Sequence, residues 1–114
     1  MISKQNAPAF TWQGVCDGWT LLDDADLHVL QERMPPDTSE LLHKHAHVRQ
    51  VYFVLEGEAT VDLDLVGRSE SLGVGEALVI EPTTPHRISN RSPAALEFLV
   101  ISSGPPRHDR EDLE

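Results

Sequence analysis

Residues 42–58, LHKHAHVRQVYFVLEGE, carry histidines at three alternate positions into an apolar run that stops at a glycine. Side chains alternate faces along a strand, so His43, His45 and His47 would share one face. Imidazole is the commonest metal ligand, and two of them at i and i+2 on a rigid strand are a usual start to a chelate. The same pattern also describes a polar strand end that happens to be rich in imidazole, and this stretch alone leaves both readings open. Gln50 lies five residues beyond His45, an odd offset. A turn or bulge across 46–49 is needed to bring it to the same side. Tyr52 and Val54 then share the face of Gln50, and Gly57 ends the run at a residue that tolerates positive φ.

Outward from this stretch, glycine and proline interrupt the chain every eight to twelve residues or so, and the runs between them favour period 2. Residues 58–65, EATVDLDL, alternate most clearly, which predicts an antiparallel strand with one wet face. Residues 25–34 and 94–102 also read as strands. Residues 48–55 and 77–80 are apolar on both faces, as expected deep in a sandwich or at a subunit contact. No helical periodicity extends beyond about two turns. The expected class is all-β, a small barrel or double-sheet jelly roll. Residues 1–24 are expected to form an N-terminal arm, residues 25–102 the barrel, and residues 103–114, SGPPRHDREDLE, a polar tail. Phe10, Trp12 and Val15 alternate ahead of the barrel and are suited to cover a sheet edge, in the same chain or across a homodimer.

The 114 residues are enough for one core without disulfides. The single cysteine, Cys16, excludes an internal disulfide and suits a reducing, cytoplasmic setting. The longest aliphatic and aromatic run, 51–55, is far too short to span a membrane. A net charge of −10, from 19 acidic and 9 basic residues, argues against nucleic acid and anionic lipid as partners. An anionic ligand would need a local positive centre, which a bound metal supplies. Gly73-Val74-Gly75 lacks the lysine of a phosphate-binding loop. Cys16 has no neighbour that activates it. His28 is expected on the outer face of its strand, His108 in solvent, and Arg33 at an exposed strand end.

A second constellation lies at residues 75–90, GEALVIEPTTPHRISN. Pro82 and Pro85 pin a turn, and His86 opens the next strand with Asn90 four residues on. By itself His86 reads as a surface histidine; paired with the first cluster it becomes a candidate ligand.

Together the two stretches resemble the motifs of the cupin superfamily, in particular its small bacterial single-domain members. The first motif is Gly, five residues, HxH, three or four residues, Glu, six residues, Gly. Here His43-x-His45 is followed by four residues, Gln50, six residues and Gly57, with Asp37 in the place of the opening glycine. The second motif is Gly, five residues, PxG, two residues, His, three residues, Asn, matched by Gly75, Glu81-Pro82-Thr83, His86 and Asn90. The resemblance covers roughly residues 25–102 and implies a conical, jelly-roll-like double-stranded β-helix. It further implies one divalent transition metal per chain, held by His43, His45, Gln50 and His86, with His47 in the spacer.

Where this chain departs from the motif, the chemistry shifts. Gln50 is neutral where the family has a carboxylate, so a divalent ion would keep its full charge. That disfavours hard ions such as Mn²⁺ and favours an anionic substrate; three imidazoles suit Zn, Ni, Fe, Cu or Co. Thr83 stands for a glycine, and a β-branched residue takes positive φ at a cost, so the turn is expected to adopt another shape. Glu81 stands near His86, facing either the site or water.

The resemblance thus implies a metal-dependent enzyme acting on a small oxygen-rich or anionic molecule, by dioxygenase, isomerase or decarboxylase chemistry. Tyr52 is the candidate for proton transfer or substrate hydrogen bonding. The alternative is a non-catalytic module that binds or senses a metal or small molecule. A barrel with no ligand at all fits less well with three retained histidines.

Overall fold

The structure is a computed structural model that describes residues 1–63 and 67–114. Among the described residues, twelve strands form two facing sheets and one short ribbon, the jelly-roll arrangement of a double-stranded β-helix. The larger sheet contains β1 (Ala9–Trp12), β2 (Cys16–Asp23), β3 (His28–Met34), β6 (Gln50–Glu56), β9 (Ala77–Ile80) and β11 (Leu96–Ser102). Their order across the sheet is β1-β2-β3-β11-β6-β9. The opposing sheet has β4 (Thr38–Ser39), β10 (Arg87–Asn90), β7 (Ala59–Asp62) and β8 (Ser69–Leu72), in the order β4-β10-β7-β8. The ribbon pairs β5 (His43–His45) with β12 (Arg110–Asp112).

Alternation along each strand sends one set of side chains between the sheets. Met34, Val54, Leu96 and Phe98 from the large sheet meet Ala59, Val61 and Ile88 from the small one, all fully buried or nearly so. Phe98 meets Trp12 and Tyr52 edge to face, at centroid distances of 6.4 and 5.8 Å, contacts worth about 0.5–1.5 kcal/mol each beyond area burial. The strand expected over 58–65 is present as Ala59–Asp62; its last two residues, 64 and 65, lie outside the described residues. Residues 77–80 form a strand at the sheet edge, with Val79 exposed on its outer side.

β1 covers the opposite edge by pairing with β2 of its own chain, and the ring of Phe10 occupies the space a Cβ on Gly18 would need. Lys4 anchors the segment ahead of it through Glu97, at 2.7 Å. Residues 105–114 fold back on the body through a 3-10 turn, Pro106–His108, and then β12.

Gly57 turns the chain from β6 into β7 with φ +85°, and a Cβ there would lie 2.5 Å from the Ala95 carbonyl oxygen. Gly57→Ala is therefore expected to cost about 1–3 kcal/mol in backbone strain before the clash is counted. Urea unfolding checks this; an unchanged midpoint would show that the turn relaxes freely.

Both places where this chain replaces a glycine of the family motif keep a left-handed backbone without it. Asp37 has φ +59° and Thr83 has φ +69°. Asp reaches this region readily. For Thr83 the expectation of a differently shaped turn is corrected. Its N–H donates to the His45 carbonyl at 2.7 Å, and Thr84 N closes on Glu81 O, so the surroundings hold the strained residue in a left-handed conformation of the kind glycine favours.

Candidate metal centre

The two histidine-bearing segments are joined by their own backbones. His43 N donates to His86 O at 3.0 Å, and His86 N returns to His43 O at 2.8 Å. This reciprocal pair brings positions 43 residues apart in sequence into register at one end of the barrel. One ring nitrogen each from His43, His45 and His86 lies within 4.8 Å of the others, and all three rings are buried.

The orientation of each ring follows from its Nδ1 partner. His43 Nδ1 lies 2.9 Å from Leu41 O, and His86 Nδ1 lies 2.8 Å from Thr84 O. A carbonyl only accepts, so both Nδ1 atoms carry the proton and both Nε2 lone pairs are free. The device is local: each imidazole donates to the carbonyl two residues upstream. His45 Nδ1 instead faces Asp109 Oδ1 at 2.9 Å. His86 Nε2 is buried without a partner among the described residues.

The offset of Gln50 is resolved as expected. β5 ends at His45, the chain turns over 46–49, and Gln50 opens β6 facing inward. Its Nε2 donates to Ser102 Oγ at 3.0 Å, which leaves Oε1 buried without a partner among the described residues. His47 is exposed, and its backbone N–H donates to Asp109. Tyr52 is buried, its ring 6.0 Å from that of His86, and it lines the cavity beside the imidazoles. Burial holds its phenol protonated well above the ordinary range.

Burial, and then the charges of His86 and Arg110, push His43 down to about 3; burial brings His86 to about 4 against its bond to Thr84. Both rings are therefore neutral near pH 7, as metal ligation requires.

The cavity measures about 150 Å³, and its walls include residues that sequence reading did not reach: Glu32, Glu40 and Arg110. Burial raises the Glu32 and Glu40 carboxyls to about 8, with Arg110 pulling the other way. Glu40 Oε1 stands 3.3 Å from His43 Nδ1. Burial alone would raise the Asp109 carboxyl, but bonds from His47 N, Val48 N and His45 bring it below its usual value.

His28 is buried, not on the outer face as expected. It pairs across the sheet with Ser102, which pairs with Gln50, so the three share the inward face. The inward set of β3 is His28, Leu30, Glu32 and Met34; two polar members hid its phase. Glu81 is paired with Arg49 at 2.6 Å and faces water. Arg33 lies at the surface beside Glu97. Asn90 is structural: its Nδ2 donates to Met34 O and Ala94 O, which fixes the approach to β11.

A double-stranded β-helix with histidines from two motifs gathered inside one end is the architecture of the cupins, and Gln50 stands where their motif has a carboxylate. This chain belongs to that family: residues 30–102 match the family model described as Cupin domain. The uncharacterized protein MJ1618 of Methanocaldococcus jannaschii is 35% identical over 82 residues, 71% of this chain and 64% of that protein. The chain thus spans a little under two-thirds of that relative's length.

Among solved structures, an uncharacterized conserved protein with a double-stranded beta-helix domain from Klebsiella pneumoniae superposes with TM-score 0.82 at 20% identity, covering 100% of this chain and 96% of that one. The polyketide cyclase RemF of Streptomyces resistomycificus gives 0.83 at 22%, covering 100% and 84%. A cupin sugar phosphate isomerase from Silicibacter pomeroyi gives 0.77 at 18%, covering 93% and 76%. At these identities the likeness is one of fold. No helix among the described residues is long and apolar enough to cross a membrane.

Proposed function

We propose that this chain holds one divalent transition-metal ion through His43, His45, Gln50 and His86 and acts as an enzyme on a small oxygen-rich or anionic molecule. The observation that carries the reading is convergence with vacant lone pairs. His43, His45 and His86 bring ring nitrogens within 4.8 Å of one another, while His86 Nε2 and Gln50 Oε1 are buried without a partner among the described residues. Unpaired buried acceptors cost about 1–3 kcal/mol each, and a cation relieves that cost. The donor set of three imidazoles and one amide oxygen suits Zn, Ni, Fe, Cu or Co. When bound, such an ion supplies Lewis-acid or redox chemistry at a substrate oxygen.

The chain's own residues set the rest. A cavity of about 150 Å³ is small beside the roughly 300–1,000 Å³ of drug-sized sites, so the substrate is small. Arg110 offers positive charge for an anionic group, and Glu32 and Glu40, carrying protons, offer hydrogen bonds. Tyr52 faces the same space and is the residue assigned to hydrogen-bond substrate or move a proton. The related folds of a cyclase and an isomerase support small-molecule turnover in this scaffold. The test is metal content of untagged protein purified without chelators. Near-stoichiometric metal supports the reading, and none after reconstitution overturns it.

The protein is proposed to be cytoplasmic, in keeping with its single buried, free Cys16, and to form a homodimer. Exposed Leu27 and Val79 adjoin Val51 and Ile101 on the outer face of the large sheet, an apolar patch suited to a second copy. Light scattering is expected to give a dimer mass; a monomer mass that holds at every concentration would sink the assignment.

A further inference from the structure

Of the three imidazoles, His45 alone is not oriented by its own segment. Its Nδ1 meets Oδ1 of Asp109, 64 residues further on, at 2.9 Å. The other oxygen of that carboxylate accepts from His47 N at 2.7 Å and Val48 N at 2.9 Å, and the Asp109 carbonyl accepts from Ala46 N. One residue therefore holds the His45 ring and most of the turn that delivers Gln50 to the site. Beyond it, β12 pairs Arg110 with His45 and Asp112 with His43, and Leu113 N donates to Leu42 O at 2.8 Å.

A neutral imidazole has one N–H and two tautomers, and only the form protonated at Nδ1 leaves Nε2 for a metal. A carboxylate at Nδ1 selects that form, fixes the ring plane and makes the ring a stronger donor. Gln50 brings no charge to the site. Asp109 places a negative charge one hydrogen bond behind a ligand, where it offsets part of a cation's charge without touching it.

On the reading of this site as a metal centre, we propose that Asp109 is its positioning residue, and that cation binding and docking of the C-terminal strand are coupled through it. The coupling is reciprocal by linkage: whatever the docked strand adds to cation affinity, the cation returns to strand docking.

The experiment uses Co²⁺ as probe with the metal-free parent, Asp109→Ala and Asp109→Asn. Affinity is read by chelator competition, the site by its Co²⁺ absorption spectrum, the His45 tautomer by ¹⁵N NMR, and the strand by hydrogen exchange at residues 110–113. Asp109→Ala is expected to weaken Co²⁺ binding roughly 10–100-fold. Before any metal is added, it should shift His45 toward the Nε2–H form while His43 and His86 stay as they are, a change that loosened packing alone would not produce. Asp109→Asn keeps one acceptor oxygen and no charge, so it should fall between the two and serves if the alanine variant does not fold. In the parent, Co²⁺ should slow exchange at 110–113.

Equal affinity and an unchanged tautomer in the Asp109 variants would overturn the role of Asp109 alone. Exchange at 110–113 indifferent to Co²⁺ in the parent would overturn the coupling. A parent that takes up no Co²⁺ overturns the metal-site reading, and this inference with it.

Discussion

His86→Ala is expected to abolish stoichiometric metal binding while leaving a folded barrel. His86 is 1% exposed, and its Nε2 has no partner among the described residues, so the ring's free lone pair is wasted unless a cation takes it. The variant loses the bond from Nδ1 to Thr84 O but also sheds that buried, unpaired nitrogen, so its metal-free stability should change little. Affinity should fall by more than the 10–100-fold typical for an outer partner, because on the proposed assignment a ligand itself is removed.

The readout is large. A ligand at about 100 times its Kd adds about 2.7 kcal/mol to folding. For a domain of this size that corresponds to a rise in Tm of roughly 10 °C or more. Saturating Zn²⁺ should raise the Tm of the parent by that amount and leave His86→Ala unmoved. Gln50→Glu, which restores a carboxylate, should bind Mn²⁺ relatively better than the parent does. A parent indifferent to every divalent ion, or a His86→Ala variant that responds like the parent, would refute the ligand assignment.

The metal-free protein should also be most stable in mildly acid solution, and the sign follows from the buried His43, His86 and Glu40 and the half-buried Glu32. His43 and His86 are lowered from 6.5 to about 3 and about 4. Their contribution is present above 6.5 and is lost as pH falls toward those values, because the unfolded chain takes up protons the folded one refuses. Glu32 and Glu40 are raised from 4.5 to about 8. Their contribution is complete below 4.5 and is lost as pH rises through 8.

Between 4.5 and 6.5 the two effects oppose each other and stability is nearly flat. Above 6.5 only the carboxyls act and stability falls, by at most about 1.4 kcal/mol per pH unit for the deeply buried Glu40. Urea midpoints of chelator-treated protein at pH 5.5, 7 and 8.5 should therefore decline in that order. Glu40→Gln, which has no proton to lose, should flatten the alkaline limb. Stability that rises from pH 5.5 to 8.5 would contradict this account.

The same residues show why some of this was legible in the sequence and some was not. Strand alternation and turn residues are local properties, so β6, β7, β9 and β11 could be read from their own segments, and the spacing of His43, His45, Gln50 and His86 could be matched to a motif. His43 and His86 even carry their orienting partners two residues upstream, in Leu41 and Thr84. Thr83 shows the limit of a local rule, since its left-handed backbone is held by a hydrogen bond to His45 that intrinsic preference does not include. His28 and Glu32 show another. Polar residues on an inward face look outward until the register with β11 places them. The partner of His45 had no local signal, because Asp109 is distant in sequence and reaches the ring only when the chain's end folds back onto β5. Composition and periodicity pointed to an all-β barrel, and the resemblance to the cupin motif singled out His43, His45 and His86, which periodicity alone had left open. Which carboxyls stand behind and beside those histidines was decided by tertiary structure alone, because a hydrogen bond depends on distance in space and carries no mark of distance along the chain.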